Sequence, residues 1–261
     1  ILNLITKYLE ENPNQRFTQA IFNLRINEFV NQQNPEIEDY KDTHIPDFEG
    51  AAVYILPGAW YPETVKLFAK AGFRKSDDIE DADLVVFLGG ADVSPSFYNE
   101  TPLQKTNSNL ERDMAEKTVF EECVSKEIPM MGICRGAQFL HVMNDGVLWQ
   151  HVENHAGVDH HIIDLDDDVR ILSNSFHHQM VALNDELDVL AVCENQVSKK
   201  FEAGSMTINI ASIGEGEVGE IEIEAGTYEK TKTFFVQGHP EVGNKQYQSW
   251  VFHKLKEFLV D

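Results

Sequence analysis

Basic residues are scarce in this chain. Twenty-one lysines and arginines stand against 44 aspartates and glutamates in 261 residues, a formal net charge of −23 at pH 7. That balance argues against broad contact with nucleic-acid phosphate, which needs stripes of Lys and Arg. It reads instead as a solvated acidic surface. Cysteine is equally sparse: Cys123, Cys134 and Cys193 are the three in the chain. They make a poor disulfide framework and suit a reducing cytoplasm with at least one functional thiol. No apolar run approaches the roughly 18 residues of a membrane span, so no membrane association is expected. No charged-then-apolar secretory leader is read in the chain, which begins at Ile1. Internal repeats and low-complexity tracts are missing as well.

What is present is a chain that is 42% hydrophobic, enough to bury the core of one sizeable α/β domain with an appendage. Residues 1–45 are expected to form a helical extension and linker, and residues 46–261 the main domain. Leu2, Ile5, Tyr8 and Leu9 have helical spacing, and a second helix is expected over 17–31, with Ile21, Leu24, Phe29 and Val30 as apolar positions. The extension reads as a hairpin packed on the main domain or as a docking arm; 34–46, polar and acidic, reads as a linker. From Ala51 strand and helix alternate. Strands are expected over 51–56 and 84–88 and helices over 62–71 and 110–126, with Pro62 in a first turn and Gly72 at a stop. This βαβ order predicts a mostly parallel sheet with helices on both faces and a site at the strands' carboxyl ends. Residues 181–236, punctuated by Gly214, Gly216, Gly219 and Gly226, predict antiparallel β additions.

The most informative segment is Met131-Gly132-Ile133-Cys134-Arg135-Gly136-Ala137-Gln138. The apolar run of 128–133 predicts a buried strand ending at the cysteine, and a helical pattern follows over 137–143. A cysteine at such a turn sits over a helix N-terminus, whose N–H groups and dipole favour a thiolate and can hold an oxyanion. Alone, the segment also reads as a buried, inert cysteine after a strand. A second element tilts the balance. Phe234, Phe235 and Val236 predict a strand, followed by Gly238-His239-Pro240-Glu241. A nucleophilic cysteine needs a base and a group to orient that base, and a His-x-Glu pair supplies both from one strand end.

These two elements resemble the class I glutamine amidotransferases, in which a G-x-C-x-G-x-Q elbow and a distal His-Pro-Glu complete a Cys-His-Glu triad. Within that superfamily the chain is similar to the γ-glutamyl hydrolase branch, the peptidase C26-like proteins. Gly89-Gly90-Ala91-Asp92-Val93-Ser94-Pro95 with Tyr98, Glu111-Arg112-Asp113 and Asn174-Ser175-Phe176-His177-His178-Gln179 fit that branch in order, and the likeness runs from about Ala51 onward.

The resemblance implies a flavodoxin-like fold and the following roles. Cys134 is the nucleophile, His239 the general base and then acid, and Glu241 the residue that orients His239. The backbone N–H groups of Arg135 and Gly90 form the oxyanion hole. Gln138 is a substrate contact or a helix-surface glutamine. His177 and His178 line the glutamyl pocket, and Arg112 and Asp113 pair locally on a helix. No cofactor is expected. His151 and His155, spaced i, i+4, raise a metal as a competing reading, but no H-E-x-x-H pattern or paired cysteines accompany them, and no metal is expected. Three departures from the branch stand out: Asp145 in place of a glycine at a helix end, a shortened stretch between the first strand and the Gly89-Gly90 loop, and Gly238 in place of a tryptophan, which takes away a bulky wall beside the base.

The expected function is cysteine-dependent hydrolysis of a γ-glutamyl amide through a glutamyl thioester, with a small γ-glutamyl amine or glutamine as substrate. The alternatives are a glutaminase subunit delivering ammonia to a separate synthetase partner, and a binding protein that keeps the fold without catalysis.

Overall fold

A computed structural model describes residues 37–195, 197–209 and 221–260. The expected N-terminal helices lie outside the described residues. The first half of the fold runs β1 (Glu38–Asp39), β2 (Ala52–Ile55), α1 (Tyr61–Lys70), β3 (Arg74–Lys75), β4 (Leu84–Phe87), α2 (Leu110–Lys126), β5 (Met130–Ile133) and α3 (Arg135–Met143). It continues through β6 (Leu148–Trp149), β7 (His151–Val152), β8 (His160–Asp164), β9 (Val169–Ser173), β10 (Met180–Val181) and β11 (Asp188–Cys193). The last elements are β12 (Lys200–Ala203), β13 (Met206–Asn209), β14 (Ile223–Tyr228), β15 (Thr233–Val236) and α4 (Lys245–Val260).

The main sheet has the order β1-β9-β8-β11-β14-β15-β5-β4-β2-β3. Strands β3, β2, β4, β5 and β15 are parallel, which is the expected flavodoxin-like half. The antiparallel addition starts at β8, earlier than the 181–236 region in which it was expected. Part of the segment read as a linker joins the sheet: Glu38 and Asp39 pair parallel with Val169 and Arg170.

Local sequence explains the layers. All four residues of β4 are fully buried, as a strand covered on both faces must be. Val85 and Phe87 pack with Phe120, Phe139 and Leu140 on one face, beneath α2 and α3. Leu84 and Val86 pack with Leu67, Phe68, Trp250 and Phe252 on the other, beneath α1 and α4. Asn109 caps α2, its side chain accepting the Arg112 N–H at 3.1 Å. Trp250 donates its indole N–H to Asp164 at 2.7 Å and Lys254 pairs with the same carboxylate at 3.0 Å, tying α4 to β8. Asp145, in place of the usual glycine after α3, still takes a left-handed φ of 60°. No helix among the described residues is long and apolar enough to cross a membrane.

Candidate active site

Parallel pairing assembles the site. Val236 of β15 stands opposite Ile133 of β5, and Phe87 of β4 opposite Gly132, so three neighbouring strands release their next residues at one edge. Cys134 leaves β5, Gly89 and Gly90 leave β4, and His239 leaves β15. Trp60 follows β2, the next strand over.

Cys134 sits between β5 and α3 with φ 54° and ψ −110°. A left-handed φ on a residue with a Cβ costs about 1–3 kcal/mol and persists where packing over-determines it. The packing here comes from two glycines. A Cβ at Gly136 would collide with the Phe87 carbonyl, and one at Gly132 would lie 2.7 Å from the Ala137 backbone. The helix therefore seats directly on the sheet, and the Cys134 N–H is held by the Val236 carbonyl at 2.9 Å.

His239 Nδ1 donates to Glu241 Oε1 at 2.7 Å, and its ring and Cys134 converge on Gly89, where a Cβ would lie 3.0 Å from His239 Cε1 and 3.7 Å from Cys134 Cβ. Burial disfavours the charged ring. Interaction with Cys134, then with Glu241, outweighs that cost and raises the His239 pKa to about 10. The three residues expected to form a triad thus meet. Asn174, whose segment was legible but whose role was not, accepts the His239 N–H at 2.7 Å and donates to its carbonyl at 2.9 Å.

Arg112 and Asp113 do not pair with each other, and only Arg112 stays partly local. Arg112 bonds Glu116 one turn along at 2.7 Å, and also donates to the carbonyls of Leu88 and Gly89 at 2.9 and 3.1 Å. Asp113 accepts the Ser94 N–H at 2.9 Å and pairs with the buried Arg135 side chain, which also pairs with Glu116. This buried network links the Gly89-Gly90 loop to the cysteine turn through α2. Gly90 has a φ of 145°, and a Cβ there would collide with Arg112.

The remaining expected site residues are placed as follows. Gln138 is buried rather than on the helix surface, its amide donating to the Gln179 carbonyl at 2.9 Å. His177 is buried, with Nδ1 donating to that same carbonyl at 2.9 Å; burial lowers its pKa to about 3. His178 is half-buried and bonds Asp92 of the glycine loop at 3.0 Å. His151 lies in β7 and His155 in the loop after it, so the helical i, i+4 arrangement is not formed.

Two aromatic residues flank the base. Trp60 meets the His239 ring edge-on at 4.4 Å and Phe176 at 5.8 Å, and the two contact each other at 5.4 Å. They are 37% and 47% exposed. Apolar surface beside His239 thus comes from elsewhere in the chain than position 238. Gly238 has no room for a side chain there: a Cβ would lie 2.5 Å from the Tyr247 hydroxyl. Trp60 was not anticipated; a lone aromatic before a helix carries no distinguishing sequence signal.

A model of the peptidase C26 family matches residues 74–213, more than half of the chain. The chain belongs to the peptidase C26 family. The match includes Cys134 and ends before His239. Among relatives in sequence, a gamma-glutamyl-CDP-amidate hydrolase of Campylobacter jejuni is 34% identical over 119 residues, 45% of this chain and 54% of that protein. A glutamine amidotransferase-like protein of Lactococcus lactis subsp. cremoris is 33% identical over 119 residues, 38% of this chain and 63% of that one. The chain spans less than two thirds of the length of either. In fold, the chain is similar to PurLQS of Thermotoga maritima, with a TM-score of 0.52 at 15% identity over 82% of this chain and all of that one. A GMP synthase component from Thermoplasma acidophilum gives 0.51 at 14% identity, covering 84% of this chain and 99% of that one.

Proposed function

We propose that the chain hydrolyses a γ-glutamyl amide. Cys134 passes its thiol proton to His239 and its sulfur attacks the γ-carbonyl carbon, forming a C–S bond, while the Arg135 and Gly90 N–H groups hold the oxyanion. The C–N bond breaks as His239 gives its proton to the leaving amine. Water then attacks the thioester, passing a proton to His239, and glutamate leaves with the thiol restored. Gln138, His177 and His178 belong to the glutamyl pocket wall. Neither a metal nor a cofactor takes part in these steps.

The observation that carries the reading is His239 bonded to Glu241 and converging with Cys134 on Gly89, at adjacent parallel strand ends. The amine must depart beside His239, where the exposed neighbours are Trp60 and Phe176. An amine bearing a planar or apolar group suits that wall better than ammonia does.

The test is glutamate release from L-glutamine and from γ-glutamyl amines with small, apolar and aromatic amine halves, for the unaltered chain and Cys134→Ser. Release that favours the aromatic amines and vanishes in Cys134→Ser supports the proposal. Equal release by both proteins overturns it. The second reading, glutamine hydrolysis serving a synthetase partner, is favoured by the similarity to the amidotransferase-like relative. Release from glutamine that rises severalfold with a partner would select it.

A further inference from the structure

A second polar cluster is buried away from the triad, between β8, β14 and the loops preceding β8 and following β9. It holds His155, His160, Glu222 and Glu224, with Cys193 and His177 at its edges, all buried. The reaction above uses none of the first four. Two carboxylates enclosed together need compensating positive charge or hydrogen-bond donors, because an uncompensated buried anion is strongly unfavourable.

The hydrogen bonds sort these groups. Both oxygens of Glu222 are already engaged: Oε1 accepts the Ser198 N–H at 2.6 Å and Oε2 the Val197 N–H at 2.8 Å. Glu222 Oε1 also faces His155 Nε2 at 3.1 Å, which places the ring proton on Nε2 and leaves a lone pair on Nδ1. His155 Nδ1 lies 3.7 Å from Glu224 Oε1, and His160 Nε2 donates to the same oxygen at 2.9 Å, a proton that metal binding would release. Glu224 Oε2 has no hydrogen-bond partner, although the residue is only 1% exposed. Donor atoms of His155, His160 and Glu224 all fall within 4.8 Å of one another.

We propose that this cluster is a divalent transition-metal site whose donor set suits zinc. Its ligands are His155 Nδ1, His160 Nε2 and the Glu224 carboxylate, and Glu222 orients His155. Two imidazoles and one carboxylate form a recognised zinc ligand set, with bonds of roughly 2.0–2.2 Å. A ligating histidine that donates its other ring N–H to a fixed carboxylate is the usual supporting arrangement. An ion of charge +2 also balances Glu222 and Glu224 without requiring both imidazoles to be protonated. A rival set of His155, Cys193 and Glu222 lies close by. Both Glu222 oxygens already accept backbone N–H groups, whereas Glu224 Oε2 accepts none. His177 offers the nearest further nitrogen. Its Nδ1 donates to the Gln179 carbonyl, its Nε2 is buried without a partner, and its ring centroid is 4.9 Å from that of His155. The ion would brace the His155 loop, which is tied to the Asn174 segment by the Gly157 N–H donating to the Ser175 carbonyl at 2.7 Å, so its role is structural.

The probe is zinc or cobalt(II) added to the metal-stripped full chain carrying Cys134→Ser, which removes the triad thiolate as a competing ligand. The expected result is one ion per chain, an upward shift in melting temperature, and a zinc absorption-edge spectrum showing nitrogen and oxygen neighbours without sulfur. Glu224→Gln and His160→Asn should each weaken binding at least 100-fold, Glu222→Gln about 10-fold, and Cys193→Ser not at all. No stoichiometric binding overturns the proposal. Sulfur bound to the ion, or binding indifferent to Glu224→Gln and His160→Asn, does so too. The spectrum needs no cluster variant, so it stands even where one of those fails to fold.

Discussion

The side chain of Asn174 clasps the backbone of His239 from both sides, accepting its N–H at 2.7 Å and donating to its carbonyl at 2.9 Å. No other side-chain bond to the His239 backbone exists among the described residues. It sets where the proposed base stands, while Glu241 sets how its ring is turned.

Replacing Asn174 by alanine should therefore lower kcat for glutamate release by about 10- to 100-fold, since a small misplacement of a catalytic group costs that much. KM should change little. Steady-state kinetics read the split, and an unchanged kcat would remove Asn174 from the positioning role.

His239 should titrate far above the ordinary range for histidine. Its pKa of about 10 means that it is an imidazolium at neutral pH. The sign of the linkage follows: its pairing stabilises the fold fully below pH 6.5 and is lost as pH rises through about 10. Cys134→Ser removes the group that contributes most to the raised value, so the His239 ring should then titrate closer to 6.5. NMR of the ring protons measures both, and identical titration in the two proteins would mean that the residues do not interact.

Gly90→Ala should damage activity more than stability. The new methyl displaces the Arg112 guanidinium from the Leu88 and Gly89 carbonyls, and the φ of 145° is strained for alanine by about 1–3 kcal/mol. Glutamate release should fall at least 100-fold if the Gly90 N–H holds the oxyanion. Chemical denaturation and kinetics on the same preparation separate the two effects.

Acid should destabilise the fold through His141. This residue is buried, with Nε2 donating to the Val147 carbonyl at 2.9 Å and Nδ1 accepting the Tyr228 hydroxyl at 2.7 Å; burial lowers its pKa to about 4. The unfolded chain takes up the proton below pH 6.5 and the folded chain does not until about 4. Stability should fall across that window by about 1.4 kcal/mol per pH unit from this residue. His141→Gln should flatten the slope in denaturation curves between pH 6.5 and 4, and an unaltered slope would rule the residue out as its source.

Much of this was legible in the chain itself. Hydrophobic runs and helix caps follow from neighbouring residues, so α2 was expected over the residues it occupies, and the turn at Cys134 was marked by Gly132 and Gly136. Cys134 and His239 were expected to follow strand ends, and β5 and β15 do end just before them. Tertiary structure decided the rest. Sequence order does not say which strands lie side by side, so it could not show that β15 would pair with β5 and bring His239 to Cys134. Nor could it show Trp60 against His239, Arg112 reaching the carbonyls of Leu88 and Gly89, or His155 and Glu222 meeting across 67 residues. Those contacts form between side chains far apart in the chain, and long-range packing, not local propensity, chooses their partners.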